Sequence, residues 1–356
     1  QFTINDRSSF FDWFNGYFEI EFKVNKLADG LKPAKKVAII NDAGSILEQL
    51  KLKQNGKVVY DANRLYQIFN VKSLIDLSGN YTKSISTNNF FSLDTKDEAS
   101  ANNAGFQLRS TTLAEMDTVV AEIPLNKMSF FEGLETNLLT PSQIQIEVCF
   151  TSDDNLIYAE TEGFVEYRVV VSRFILWVPR LQFNYVGLQL VMNQYATPKR
   201  WTYLREMVQH SPSSTQNQSS FRISSGVKRP KHIFIYLQKS KRLHSQKENP
   251  LIFDTFKIDA DKCKLETARL EVGNGNYYPE TAYNSNSMNR IYRDVVNYKH
   301  KVNNFETGTL INRFNFEEFF GMLYFDLSYT SQQIYVDPQS LTLHYTLNKT
   351  PTNEYM

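Results

Sequence analysis

Two carboxylates near the start of the chain, Glu19 and Glu21, have the residue type and spacing that could do chemistry. They lie two positions apart in a segment that alternates apolar and charged residues, so on a strand their side chains share one face. A glycoside hydrolase needs two carboxyl groups about 5 to 9 Å apart, one with a pKa raised by a dry pocket. Lys23 follows on the same face, and no nearby residues supply a pocket. We therefore favour a solvated or subunit-contact face and rank a glycoside hydrolase acting through Glu19 last.

Other residue patterns that carry chemistry are missing from the sequence. The five histidines show no HxH or HExxH spacing, and the acidic pair Asp153 and Asp154 lacks the spaced oxygen ligands of a calcium loop. Nucleophile elbows, Walker loops and dinucleotide fingerprints are absent, and no helical pattern follows the GNGN turn at 273–276. The sequence therefore predicts no enzyme, no cofactor and no metal site.

Tryptophans beside predicted strand boundaries could serve as stacking platforms for sugars or bases. Trp177 and Trp201 both have this position, but packing in a core or an interface is the more common use of such residues. We therefore predict that Trp177 and Trp201, together with Glu19, Glu21 and Lys23, are subunit-contact or surface residues.

The composition is that of a globular protein, with 42% hydrophobic and 22% charged residues. The net charge of +1 gives no support to genome packaging by this chain. We expect no direct contact with nucleic acid. Cys149 and Cys263 are the only cysteines. Cys149 lies in an apolar strand pattern, which predicts a buried, reduced thiol, although a disulfide with Cys263 stays open.

Period-two alternation recurs along the chain and predicts many strands. In the first half, an Asn55-Gly56 hairpin turn is expected between two strands, and the spacing over 62–77 predicts a helix. A polar loop is expected over 88–104, and a strand apolar on nearly both faces over 167–178. The predicted strands are 18–24, 37–40, 46–54, 57–60, 119–123, 143–150, 167–178, 201–208, 221–224, 231–237, 251–258, 265–272, 323–327 and 341–347.

This pattern predicts an all-β protein made of two consecutive eight-stranded jelly-roll β-sandwiches, a double jelly roll, with short helical inserts in loops. A connector with weak helical character over 181–200 separates the two halves. We expect an N-terminal jelly roll over residues 1–185 and a C-terminal one over 186–356.

Several segments resemble the double jelly-roll major capsid proteins of the Maverick/Polinton elements and of their adintovirus and virophage relatives. The likeness spans nearly the whole chain and consists of packing and turn residues. The segments are DWFNGYFEI (12–20), IND (40–42), NGKVVY (55–60), LWVPR (176–180), WTYLRE (201–206), RPKHIFI (229–235), NPLIFDTF (249–256), LEVGNG (270–275) and LYFDL (323–327). Proteins of this group often continue past such an end, so the second roll is expected to be trimmed or closed differently near Met356.

The resemblance implies a structural protein of the virion. Three copies would form a pseudo-hexagonal capsomer, and capsomers would tile the icosahedral capsid of a double-stranded DNA virus. The partners implied are further copies of the chain, penton proteins and minor capsid proteins, with host surface glycans as further candidates at the loop tips. A double β-sandwich that binds carbohydrate is the alternative function.

Overall fold

Strands (34%) outweigh helices (26%) in this chain, for which we describe a computed structural model. The structure describes residues 1–195, 203–223, 230–258, 263–273, 275–298, 308–328 and 340–356. The chain folds into two compact units. The first unit contains Gln1–Lys72, Ile85–Leu93 and Ala99–Val208, and the second contains Ser73–Ser84, Asp94–Glu98 and Gln209–Met356. The predicted division into jelly rolls at 185/186 stays a prediction.

Eleven strands are described up to residue 181. They are β1 (Phe2–Ile4), β2 (Phe10–Phe11), β3 (Tyr17–Lys26), β4 (Val37–Ile39), β5 (Leu47–Gln54), β6 (Lys57–Asn63), β7 (Val119–Pro124), β8 (Ile144–Phe150), β9 (Ile157–Ala159), β10 (Tyr167–Trp177) and β11 (Arg180–Leu181). The later strands are β12 (Gln218–Ile223), β13 (His232–Ile235), β14 (Phe253–Asp254), β15 (Leu265–Val272), β16 (Asn276–Asn284), β17 (Phe320–Gly321), β18 (Leu323–Asp326) and β19 (Leu341–Leu347).

The helices lie between these strands and are more numerous than the predicted inserts. They are α1 (Leu65–Asp76), α2 (Gly79–Thr82), α3 (Ala104–Glu115), α4 (Ser129–Glu132), α5 (Asp153–Leu156), α6 (Tyr185–Tyr195), α7 (Met288–Asn297) and α8 (Arg313–Glu318), with short 3-10 turns at Ala43–Ile46, Ile85–Asn89, Leu125–Lys127, Ser240–Arg242 and Ser285–Ser287. The all-β prediction is therefore corrected to a mostly β fold. Within the described ranges, no helix combines the length and apolar character needed to cross a membrane.

The first unit is built on a four-stranded sheet in the order β1-β8-β5-β6 and a three-stranded sheet in the order β10-β3-β7. The alternation in β3 is confirmed, because Phe18, Ile20 and Phe22 are fully buried and Val24 is nearly so. The ring of Phe18 stacks on Phe174 of β10 at 4.9 Å between centroids. Burying each such side chain contributes about 1.5 to 3 kcal/mol to folding.

The Asn55-Gly56 hairpin between β5 and β6 is also confirmed. Asn55 has a φ of 48° and Gly56 a φ of 78°, so both residues adopt the left-handed conformation that a tight hairpin turn requires. Gln54 and Lys57 pair directly across the turn. The turn chemistry therefore fixes the register of the two strands.

Gly56→Ala is expected to lower the free energy of unfolding of the first unit by about 1 kcal/mol, because a Cβ strains the left-handed backbone. Urea unfolding followed by tryptophan fluorescence measures the change, since Trp13 and Trp177 lie in this unit. Gly56→Asn is the matched control and should lose clearly less, because asparagine tolerates this conformation. Equal stability of the alanine variant and the parent would refute the argument.

The second unit is built on a four-stranded sheet in the order β12-β19-β15-β16, with two-stranded pairs β13-β18 and β14-β17. The predicted strands 265–272 and 341–347 coincide with β15 and β19. Helix α7 was not predicted from the sequence, although Met288, Ile291 and Val295 lie on one helical face and are buried. Helix α3 and strand β16 were not predicted either, and the proline at position 279 obscures the strand pattern of β16.

Several local predictions are wrong. The described part of 201–208 contains no strand, and within the predicted strand 251–258 only the two residues of β14 are in a strand. The loop 88–104 is partly buried, with Phe91 and Asn103 almost inaccessible to solvent. Cys149 is exposed at the end of β8, whereas Cys263 is buried, and the two cysteines form no disulfide. The prediction that Cys149 is buried failed because the two ends of β8 differ in burial. Residue types alone do not show at which residue a strand becomes exposed to solvent.

The strand 167–178 matches β10, but its predicted burial on both faces is wrong. Most of its residues are partly or largely exposed, and 48% of Trp177 is accessible to solvent. β10 pairs with β3 and with no other strand in the described part of the chain, so it forms an edge of its sheet. An apolar edge strand that is exposed in the isolated chain is a surface available for contact.

Candidate subunit-contact surfaces

Side chains on the solvent side of the β10-β3-β7 sheet form a surface that we call the charged sheet face, comprising Glu19, Glu21 and Lys23 of β3, Glu122 of β7 and Arg173 of β10. The register places Glu19 opposite Glu122, and Glu21 opposite Arg173. These positions alternate with the buried phenylalanines of β3, so the core itself forces them outward. The face assembles charges of both signs from three strands.

One guanidinium joins the two carboxylates that the sequence singled out. Arg173 Nη2 lies 2.8 Å from Glu19 Oε1, and Arg173 Nε lies 3.3 Å from Glu21 Oε2. A register shift between Val171 and Arg173 inserts Ser172, whose hydroxyl donates to Glu21 Oε1 at 3.0 Å. Such a bulge re-aims the following side chain, and here it directs Arg173 toward both carboxylates.

This arrangement does not suit glycoside hydrolysis. A general acid must hold its proton in a dry pocket, whereas Glu19 and Glu21 share a cation on a strand face that solvent reaches. Exposed ion pairs of this kind contribute roughly 0 to 1 kcal/mol to folding. Among the described residues, no group of three or more histidine, cysteine, aspartate or glutamate side chains could hold a metal ion.

Exposed apolar residues border the charged sheet face. Trp177 ends β10 opposite Tyr17, and Val120 of β7 is 54% exposed. An exposed aromatic side chain beside paired charges is the composition found in protein interfaces. Trp201, the other tryptophan predicted at a contact, lies outside the described residues.

Helix α6 is an apolar surface element that the sequence analysis treated only as a connector. It contains no charged residue, and none of its residues is buried. Its most exposed apolar residues are Tyr185 (74%), Leu190 (65%), Val186 (63%) and Met192 (56%). The run of eleven uncharged residues was visible in the sequence, but its exposure was not.

Aromatic contacts hold α6 on the first unit. The Tyr195 hydroxyl accepts a hydrogen bond from Leu138 N and donates one to Leu138 O, each at 2.9 Å. Phe10 packs against Phe183, which precedes the helix, and against Tyr195 at its end, with centroids 5.7 and 5.9 Å apart. The helix is thus held at both ends while its apolar side chains face solvent.

A second anchor, also missed in the sequence, fixes residues 203–208 to the first unit. Glu206 accepts hydrogen bonds from the Tyr60 hydroxyl at 3.0 Å and from Ser129 N at 2.6 Å. Lys72 Nζ lies 3.7 Å from the same carboxylate. Burial and the neighbouring Glu206 raise the pKa of Tyr60 well above its ordinary value, so the phenol stays a neutral donor. This cluster is a structural anchor rather than a reactive centre.

Comparison with known proteins shows which folds this chain resembles. No protein-family model and no curated protein sequence matches the chain. The chain resembles a solved structure of the Sputnik virophage with a TM-score of 0.55 and 12% identity, over 99% of this chain and 79% of that one. It resembles the Faustovirus major capsid protein with a TM-score of 0.54 and 10% identity, over 99% and 85% of the two chains.

A third similar structure is the PBCV-1 virus capsid, with a TM-score of 0.51 and 11% identity over 98% of this chain and 80% of that chain. These neighbours are double jelly-roll major capsid proteins. The chain therefore has the fold of viral major capsid proteins, and the likeness covers nearly all of it.

Proposed function

We propose that this chain is a viral major capsid protein without enzymatic activity. The observation that carries the proposal is the match along 98–99% of the chain to the three capsid structures. Two eight-stranded jelly rolls per chain, with the division near 185/186, would give a trimer the pseudo-hexagonal outline that tiles an icosahedral shell. The neighbours do not favour a carbohydrate-binding protein, and they are structural rather than enzymatic.

The finer assignment rests on the sequence resemblance. It supports a member of the Maverick/Polinton, adintovirus and virophage-like group of double-stranded DNA viruses, located in the virion. The expected partners are further copies of the chain, penton proteins and minor capsid proteins. The near-neutral charge suits close packing of copies and gives no support to direct contact with nucleic acid. Host glycans at the loop tips belong to the same proposal.

Two surfaces of the first unit are proposed as contacts between copies. The charged sheet face offers Glu19, Glu21 and Lys23, with Trp177 at its margin, and the sequence adds Trp201. Helix α6 offers apolar side chains that a second copy would remove from water. Burial of such residues supplies the main free energy of association, while paired charges fix the orientation of the partner.

Native mass spectrometry of the purified chain tests the proposal, and a species of three chains is the expected result. The trimer should persist on dilution to the micromolar range, because capsomers are stable building units with large interfaces. A salt series serves as the control, since an interface driven by apolar contact weakens little as charges are screened. A chain that stays monomeric at every concentration would contradict the proposal.

A further inference from the structure

A groove of about 510 Å³ lies on the solvent side of the second unit's four-stranded sheet. All four strands contribute to its lining, and the opposite side of the sheet carries buried residues such as Leu270 and Leu343. Its polar lining residues include Gln218, Ser219 and Ser220 of β12, His344 and Thr346 of β19, and Thr267 and Arg269 of β15. The volume falls in the range of roughly 300 to 1,000 Å³ that small-molecule sites occupy.

The backbone opens this groove at an irregularity between β15 and β16. Ala268 pairs with Tyr283, but Leu270 pairs with Tyr278, so the single residue Arg269 stands opposite four unpaired residues of β16. Ala282, one of these four, lines the groove with only a methyl group. Bulges of this kind often re-aim side chains beside functional sites. The concavity therefore results from strand register rather than from loosely packed side chains.

Arg269 is held in a fixed orientation at the groove. Its Cζ lies 4.1 Å from the centroid of the Tyr277 ring, a cation–π contact that holds the guanidinium over the aromatic face. The Arg269 side chain forms no hydrogen bond and no salt bridge with any residue in the described part of the chain. Its N–H groups are therefore available to a carboxylate or sulfate, the oxyanions that a guanidinium binds in bidentate fashion.

The carboxylate of Glu271, on the same strand as Arg269, forms its hydrogen bonds with other groups. Glu271 Oε2 lies 2.8 Å from His344 Nε2, and Glu271 Oε1 accepts a hydrogen bond from Gly275 N at 3.2 Å. The bond from His344 is the main cause that lowers the pKa of Glu271, with the bond from Gly275 second. Each oxygen of Glu271 thus accepts a hydrogen bond from a group other than Arg269, and Arg269 acts on Glu271 only through its charge, which also lowers the pKa of that carboxyl.

We propose that this groove binds an acidic saccharide, with its carboxylate or sulfate on Arg269. The hydroxyl and amide groups of Ser220, Gln218 and Thr346 line the same groove as Arg269 and match the hydroxyl groups of a sugar ring. A hydroxyl-rich ligand fits this lining better than an apolar one. The proposal goes beyond the capsid role and does not depend on it.

Isothermal titration of the full-length chain tests the proposal, with N-acetylneuraminic acid and glucose 6-sulfate as acidic probes and N-acetylglucosamine as the neutral one. The acidic probes are expected to bind, and Arg269→Gln should weaken them at least tenfold. Ser220→Phe, which fills the groove from an exposed edge position, should have the same effect. Arg290→Gln is the matched control, because Arg290 lies over the Tyr283 ring at 5.4 Å and outside the groove lining, and it should change binding less than twofold.

Equal binding of the neutral sugar, or equal loss in the Arg290 variant, would overturn the proposal. Inorganic sulfate provides a further arm, and binding as tight as that of glucose 6-sulfate would refute the role of the saccharide. An Arg269→Gln variant that changes the number of chains in the particle without changing titration would show a subunit contact instead. Because titration does not require a trimer, this proposal and the capsid proposal can fail separately.

Discussion

Replacing Arg242 by methionine is expected to destabilise the second unit by about 3 kcal/mol, because it removes the guanidinium that binds a buried carboxylate and leaves Asp254 with only the Lys239 ammonium, 3.4 Å from its Oδ1. Arg242 is 1% exposed and Asp254 is 2% exposed. Arg242 Nε and Nη2 donate to the two oxygens of Asp254 at 2.8 and 2.9 Å. Nη1 and Nη2 donate to the two oxygens of Asp97, each at 2.6 Å.

This network also binds a segment from the first half of the sequence. Asp97 belongs to residues 94–98, which are part of the second unit, and Asp94 accepts a hydrogen bond from the Asn249 side chain at 2.9 Å. Burial alone would lower the pKa of Arg242, but its hydrogen bonds with Asp254 and Asp97 raise it above the ordinary value. The guanidinium is therefore charged at every pH at which the protein folds.

The two cysteines give a measurement confined to the second unit. Cys263 is buried there, whereas Cys149 is exposed in the first unit, so Cys149→Ser leaves a single thiol that reacts only after opening. Labelling of Cys263 along a urea series then gives the free energy of unfolding for each variant. Adding Asp254→Asn to Arg242→Met is expected to recover part of the loss, because it removes the buried charge that Arg242 stabilises in the parent chain.

Lys257→Met is the matched control for Arg242→Met. It breaks the ion pair between Lys257 and Glu318 at 3.3 Å, in which both side chains are more than half exposed. A change below about 1 kcal/mol is expected there, as for other surface pairs. A similarly small change for Arg242→Met would contradict the role assigned to the buried network.

The second large effect concerns assembly. The double change Val186→Glu, Leu190→Glu is expected to abolish the trimer while leaving the chain folded. These residues lie one helical turn apart on α6 and are 63% and 65% exposed, so charges there cost little in the isolated chain. In an interface, each buried charge costs several kcal/mol, which weakens association at least about 100-fold.

Sedimentation velocity measures the loss of the trimer, and far-UV circular dichroism checks the fold. The matched control is the double change Val58→Glu, Leu108→Glu, because it adds the same charge at two apolar residues of the first unit that are 53% and 56% exposed and lie outside α6. The control should change association far less than the α6 variant. Trimers that survive the change in α6 would remove this helix from the proposed interface without refuting the capsid role.

Elements governed by local rules were predictable from the sequence. The strand at 18–24, the Asn55-Gly56 turn, α1 and the strands at 265–272 and 341–347 all follow from side-chain period or from turn chemistry. Helix α3 was not predictable in the same way, because its buried positions include Arg109 and Ser110, which do not form an apolar stripe. Polar residues buried by tertiary partners give no such pattern.

The candidate contact surfaces were likewise only partly predictable from the sequence. The alternation in β3 by itself placed Glu19, Glu21 and Lys23 on one face, because successive side chains of a strand point to opposite sides. Only the tertiary structure decided which side chains meet on that face. A one-residue bulge at Ser172 brings Arg173 onto both carboxylates, across more than 150 positions of sequence.

The sequence determined the β character of this protein and the inward and outward faces of its clearest strands, since these depend on neighbours one to four residues apart. The exposure of α6 and of Cys149, the burial of Arg242 against Asp97 and the groove beside Arg269 were decided by the tertiary structure. Each of these features depends on which residues, distant in the sequence, pack against a given side chain or leave it exposed to solvent. Local residue types and spacing do not determine that packing.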